Sequence, residues 1–127
     1  MKVTIDNVAH IAEEILVTFS TDIGKAAAIW NGVQPKIGEI HDVELELEQS
    51  VFWGRNAHPS SNDDCFIGFV DGLIKLTGNM VSVDAEGMMA FEVAGSVILV
   101  EIIGFAGSIP MVVDLYVERV DFFPTGI

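Results

Sequence analysis

Asp42-Val43-Glu44-Leu45-Glu46-Leu47-Glu48 is the stretch that decides the fold. Acid and aliphatic residues alternate without a break, the period-two signature of a strand with one dry face and one wet face. Val43, Leu45 and Leu47 are expected to point inward, and Asp42, Glu44, Glu46 and Glu48 outward. A helix would scatter the same acids around its circumference. Same-face residues two apart stand about 7 Å from each other. Unit charges at that distance repel by roughly 0.6 kcal/mol in water and by about 2–2.5 kcal/mol at an effective dielectric near 20. The row is tolerable in water or against a basic partner and costly if dry and unpaired. As a solvated face it would also discourage edge-to-edge aggregation.

Working outward, the organising strand is expected to cover residues 37–53, entered from Pro35-Lys36-Ile37-Gly38 and closed by Val51-Phe52-Trp53-Gly54. Upstream, Val3 and Ile5 alternate with polar neighbours up to a turn or bulge at Asp6-Asn7. Ile15-Leu16-Val17-Thr18-Phe19 has the β-branched content of a second strand, although a short helix at Glu13-Glu14 is an alternative. Gly24-Lys25-Ala26-Ala27-Ala28-Ile29-Trp30 reads as one or two helical turns capped by Thr21 or Asp22. Downstream, residues 55–64 form a varied polar insertion, functional or mobile.

Residues 65–77 resume a strand with a bend near Asp71-Gly72. Gly78-Asn79 reads as a turn, and Asp84-Ala85-Glu86-Gly87 as a hairpin turn. Val97-Ile98-Leu99-Val100-Glu101-Ile102-Ile103 is apolar on both faces, the mark of a central strand covered on both sides. A long final strand runs from Met111 through Val120. The expectation is a single all-β domain over residues 1–127, with six to eight strands and at most one short helix. Glycine bends favour a small closed or partly open barrel, OB-like, with a two-sheet sandwich as the alternative.

The chain carries six Lys plus Arg against 19 Asp plus Glu, a formal net charge of −13. The excess is spread evenly: residues 1–64 hold four basic and eleven acidic side chains, and residues 65–127 hold two and eight. Such a field repels phosphates, which disfavours nucleic acid and anionic membrane surfaces, and it attracts basic proteins. One cysteine, Cys65, leaves no internal disulfide and no metal-ligand spacing. The start of the chain turns polar by its fourth residue, so no export signal is read and the expected location is cytoplasmic.

Catalytic residue types cluster only in the polar insertion: His58, Ser60, Ser61, Asp63, Asp64 and the adjacent Cys65. Groups so close in sequence lack the packed support a catalytic constellation needs, and Cys65 reads as the first buried residue of a strand. His10, His41 and His58 have no chelating spacing, and Asn62-Asp63-Asp64 lacks a calcium-loop pattern. No phosphate-cradling glycine loop is present. The reading is therefore non-catalytic, with no metal and no cofactor. Trp53 and Arg55 are interface-anchoring residue types that share a face by parity if the strand extends so far.

The segment from Pro35-Lys36-Ile37-Gly38 through Val43-Glu44-Leu45-Glu46, with the apolar run over residues 97–103, resembles the small acidic β-rich immunity proteins of bacterial toxin–immunity systems. The resemblance implies a protein that binds and blocks a basic partner toxin. Asp42, Glu44, Glu46 and Glu48 would face that partner, with Trp53, Arg55 and His58 nearby. Two alternatives stand beside it: a barrel holding a small apolar ligand, and a subunit of a homo-oligomer, both suggested by the high apolar content.

Overall fold

The computed structural model describes residues 1–125. The first strands are β1 (Lys2–Ile11), β2 (Glu14–Thr21), β3 (Gly24–Trp30), β4 (Ile40–Glu46), β5 (Val51–Phe52) and β6 (Ala57–Pro59). They are followed by β7 (Phe66–Val70), β8 (Leu73–Val83), β9 (Met88–Val93), β10 (Ser96–Ile103), β11 (Met111–Val117) and β12 (Asp121–Pro124). There is no helix among the described residues.

β1 pairs with β2 and β4, and β2 with β3, all antiparallel. β12 then closes the ring, antiparallel to β4 and parallel to β3. The result is a closed five-stranded barrel, OB-like in size. Its interior is filled by alternate residues: Val3, Ile5, Val17, Phe19, Val43, Leu45 and Phe122 are all buried. The Phe19 and Phe122 rings lie 4.6 Å apart.

Gly24 meets Ile67 where β3 passes the sheet on to β7. From there β7, β8, β9, β10 and β5 follow in order, with β11 and β6 branching from β8. A single bridge between Trp53 and Ala57 joins β5 back toward β6. Met80, Met89, Phe91, Val100, Val113 and Leu115 fill this second half, continuous with the first in one core.

The described residues form twelve strands, five of them in the barrel, where six to eight are expected in all. Several of the extra strands are only two to four residues long, too short to show a period. The stretch read as helical turns is strand β3, because its alanines are selected by the barrel. Ala26 stands opposite Phe19 in the ladder, and Ala26, Ala28 and Trp30 all point into the core. Small side chains facing large ones fill a narrow interior, and helix propensity yields to that packing.

The organising strand is shorter than expected. Residues 37 and 38 turn, β4 begins at Ile40, and residues 47–50 leave the ladder before β5. The burial alternation nonetheless holds throughout, with Val43, Leu45 and Leu47 buried and Asp42, Glu44, Glu46 and Glu48 exposed. The polar insertion is partly strand, since β6 pairs with β11. Gly78 lies inside β8 and makes no turn. A Cβ there would lie 2.3 Å from the Glu92 carbonyl oxygen, so glycine is what lets β8 and β9 approach. The run over residues 97–103 is buried on one face only: Val97 and Leu99 are 58% and 66% exposed.

The expected bulge appears between Ile5 and Asn7. Asp71-Gly72 and Ala94-Gly95 make tight hairpin turns with both residues at positive φ. At the β8–β9 hairpin, Asp84 Oδ1 accepts the backbone N–H groups of Glu86 and Met88 at 2.8 and 2.9 Å. Asp84→Ala removes both bonds from an exposed turn and is expected to cost about 1 kcal/mol, read as a lower urea midpoint at unchanged slope.

Candidate functional site

Two sheet edges face each other without pairing, and they make the candidate site. Thr125 N–H donates to the Asp42 carbonyl at 3.0 Å, and Val43 N–H donates to the Met1 carbonyl at 2.8 Å. Successive strand residues turn their backbone groups to opposite sides. Asp42, Glu44 and Glu46 therefore face β12, and Val43, Leu45 and Leu47 face the other way. Met1 covers only Val43, so Leu45 and Leu47 present an unpaired edge.

The same logic applies to β10. Ile102 N–H donates to the Gly87 carbonyl at 2.8 Å, on the β9 side. The Ile103 carbonyl accepts Trp53 N–H at 2.9 Å, on the opposite side. Val97, Leu99 and Glu101 share the orientation of Ile103, yet β5 pairs only with Ile102 and Ile103. Val97 and Leu99 are thus the second unpaired edge, and no backbone hydrogen bond crosses from them to Leu45 or Leu47 among the described residues.

The seam is tied at both ends. At one, the Met1 ammonium donates to the Val43 carbonyl at 3.0 Å and to Ser96 Oγ at 2.9 Å. At the other, Val51 pairs with Ile102 and the Ser50 hydroxyl donates to the Glu101 carboxylate. Between the ties lies an open groove of about 580 Å³, with Glu44, Glu46 and Glu48 on one wall and Val97 and Leu99 on the other. None of these three carboxylates is ion-paired among the described residues; the pairs formed are Glu39–His41, Asp114–Lys75, and Arg119 with Glu14 and Asp121.

The structure gathers only part of the expected site. Asp42 is exposed but lies short of the groove, opposite Lys2 on β1. Trp53 and Arg55 share no strand face, because residues 53–56 turn: Arg55 N–H and Asn56 N–H both donate to the Phe52 carbonyl, at 3.0 and 3.2 Å. Trp53 instead packs edge-on against Phe105 with centroids 4.9 Å apart. Arg55 lies over the Phe52 ring at 5.3 Å, beyond the far tie of the seam. His58 is on β6, its Nε2 at 2.9 Å from the Arg55 carbonyl and its ring against Tyr116. Cys65 is half-buried just ahead of β7.

Sequence reasoning missed Val97 and Leu99, because an unbroken apolar run carries no mark of which face stays open. A separate polar cluster on β8 and β11 is self-contained. Thr77 Oγ1 donates to Asp114 Oδ1 at 2.6 Å, and Lys75 Nζ stands 3.9 Å from Oδ2, over the rings of Phe66 and Tyr116. Every buried polar side-chain atom among the described residues has a partner, so this cluster reads as structural. No group of three or more potential metal-ligating side chains occurs among the described residues. Comparison with protein-family models, curated proteins and solved structures returned no match.

Proposed function

We propose that this protein acts by binding, without catalysis, and that it blocks a basic protein partner through the groove between β4 and β10, as an inhibitor or immunity factor. One observation carries the reading: Glu44, Glu46 and Glu48 stand in a row, exposed and with no cation paired to them among the described residues, against the exposed aliphatic wall of Val97 and Leu99. Three like charges about 7 Å apart repel one another, and a cationic surface laid over them removes that repulsion while it covers the aliphatic wall. The net charge of −13 steers basic partners toward the molecule from a distance and disfavours self-association through the same acids.

Co-expression with the products of the genes flanking its own tests the reading. A basic product is expected to co-purify at low salt and to dissociate as salt rises. Glu44→Lys with Glu46→Lys is expected to weaken that complex about tenfold, roughly 1.4 kcal/mol, while leaving the circular dichroism spectrum unchanged. Wild-type affinity in this variant, or no basic product in any complex, overturns the reading.

A further inference from the structure

The seam also specifies what shape of chain the partner presents. Leu45 and Leu47 on one side and Val97 and Leu99 on the other turn unpaired backbone groups toward the same gap. Free strand edges are templates for a further strand, and proteins ordinarily protect them. Side chains around the gap are sorted by face. Outside are Glu44, Glu46 and Glu48 opposite Val97 and Leu99; inside are the buried Leu45 and Leu47 opposite Ile98 and Val100.

We propose that the partner inserts an extended segment of alternating basic and aliphatic residues into this seam, pairing its backbone with both edges and completing the sheet. The proposal rests on the reading that the groove binds a basic protein, and it adds the binding mode and the partner's sequence pattern. Every second residue of the segment is Lys or Arg, its aliphatic stem on Val97 and Leu99 and its charged head at the glutamates. The residues between them are aliphatic and enter the core as the seam spreads, parting Leu45 and Leu47 from Ile98 and Val100, which are already buried there. The pattern is the charge complement of residues 42–48.

The length is set by the ties at Met1 and Val51, which leave room for about five to seven residues at roughly 3.3 Å each. Some Cα pairs across the seam lie within 8 Å, whereas strands flanking a third stand about 9.6 Å apart. Insertion therefore spreads the seam by at least about 1.6 Å where those pairs lie, and residues 47–50, which belong to no ladder, are the part able to give. A second copy of this chain cannot supply the segment, because no two of its six basic residues are two positions apart.

Three capped synthetic peptides test this at low ionic strength: Lys-Val-Lys-Leu-Lys-Val-Lys, the same composition in blocks as Lys-Lys-Lys-Lys-Val-Leu-Val, and the alternating peptide N-methylated at every second backbone nitrogen. The alternating peptide is expected to bind at least tenfold more tightly than the other two. It is also expected to slow amide exchange at Leu45, Leu47, Val97 and Leu99 at least tenfold, and to lose binding to the Glu44→Lys, Glu46→Lys variant. Equal affinity of the alternating and block peptides, with no protection at those four amides, overturns strand insertion and leaves the basic-partner reading intact. No binding by any peptide overturns strand insertion too, while the co-expression experiment decides the broader reading independently. Concentration-dependent protection of the four amides without peptide would place a second copy in the seam and likewise overturn the proposal.

Discussion

Gly24→Ala is expected to lower the thermal midpoint by about 15 °C, the cost of roughly 4 kcal/mol in a domain of this size. Two independent penalties meet at this residue. Its φ is +142°, a conformation that side chains rarely adopt. A Cβ built on that backbone would also fall 1.7 Å from the Ile67 carbonyl oxygen, which no rotamer change can relieve because both groups are backbone. The turn around it is held firmly. Thr21 Oγ1 donates to the Gly24 carbonyl at 3.0 Å and accepts Ile23 N–H at 3.1 Å, while Ile67 N–H donates to the Ile23 carbonyl at 3.1 Å.

Gly24 opposite Ile67 is, among the described strands, the one ladder joint between the five-stranded ring and the rest of the sheet. The alanine methyl must push the two halves apart there. Thermal melting by circular dichroism measures the effect. A midpoint within 3 °C of wild type would show that the joint is looser than these contacts imply.

Arg119→Ala is expected to cost about 2–3 kcal/mol at neutral pH, with a pH dependence of definite sign. Arg119 Nε and Nη2 donate to Asp121 at 2.7 and 3.1 Å, and Nη1 and Nη2 donate to Glu14 at 3.0 and 2.7 Å. The guanidinium is half-exposed, so its pair with the exposed side of Glu14 contributes little. The cost arises at Asp121, buried on β12, which would keep only the Asn31 amide at 3.2 Å as a side-chain partner. A buried carboxylate stripped of its cation retains its desolvation cost without compensation.

The hydrogen bond from Arg119 is the largest influence holding the Asp121 carboxyl below its ordinary value of 3.8. A depressed native-state value means that the unfolded chain takes up this proton first as pH falls. The stabilisation is complete above the ordinary value and is lost as pH drops through it toward the native one. Urea unfolding of wild type and variant at pH 7 and pH 3 should show a difference that narrows in acid. An equal difference at both pH values would assign the effect to packing.

Much of this architecture is legible in the chain itself. The acid–aliphatic alternation over residues 42–48 determines which side chains are wet, because a strand has only two faces and carboxylates cannot be left dry and unpaired. Asp71-Gly72 and Asp84 with Gly87 mark their hairpins through turn chemistry that acts over a few residues. Local signals mislead where tertiary packing overrides them. The alanine-rich stretch of β3 is a strand because a narrow barrel accepts only small side chains opposite Phe19. The bulky run of β10 is half-exposed because its outer face has no covering layer.

By itself, then, the sequence determined an acidic all-β protein with a charged ladder directed at water. Only the tertiary structure decided that the ladder borders a seam, that Asp42, Trp53, Arg55 and His58 lie outside it, and that Val97 and Leu99 form its other wall. The reason is range: facing is set by neighbours two residues away, whereas an open edge is set by which strand, some fifty residues distant, fails to come within hydrogen-bonding reach.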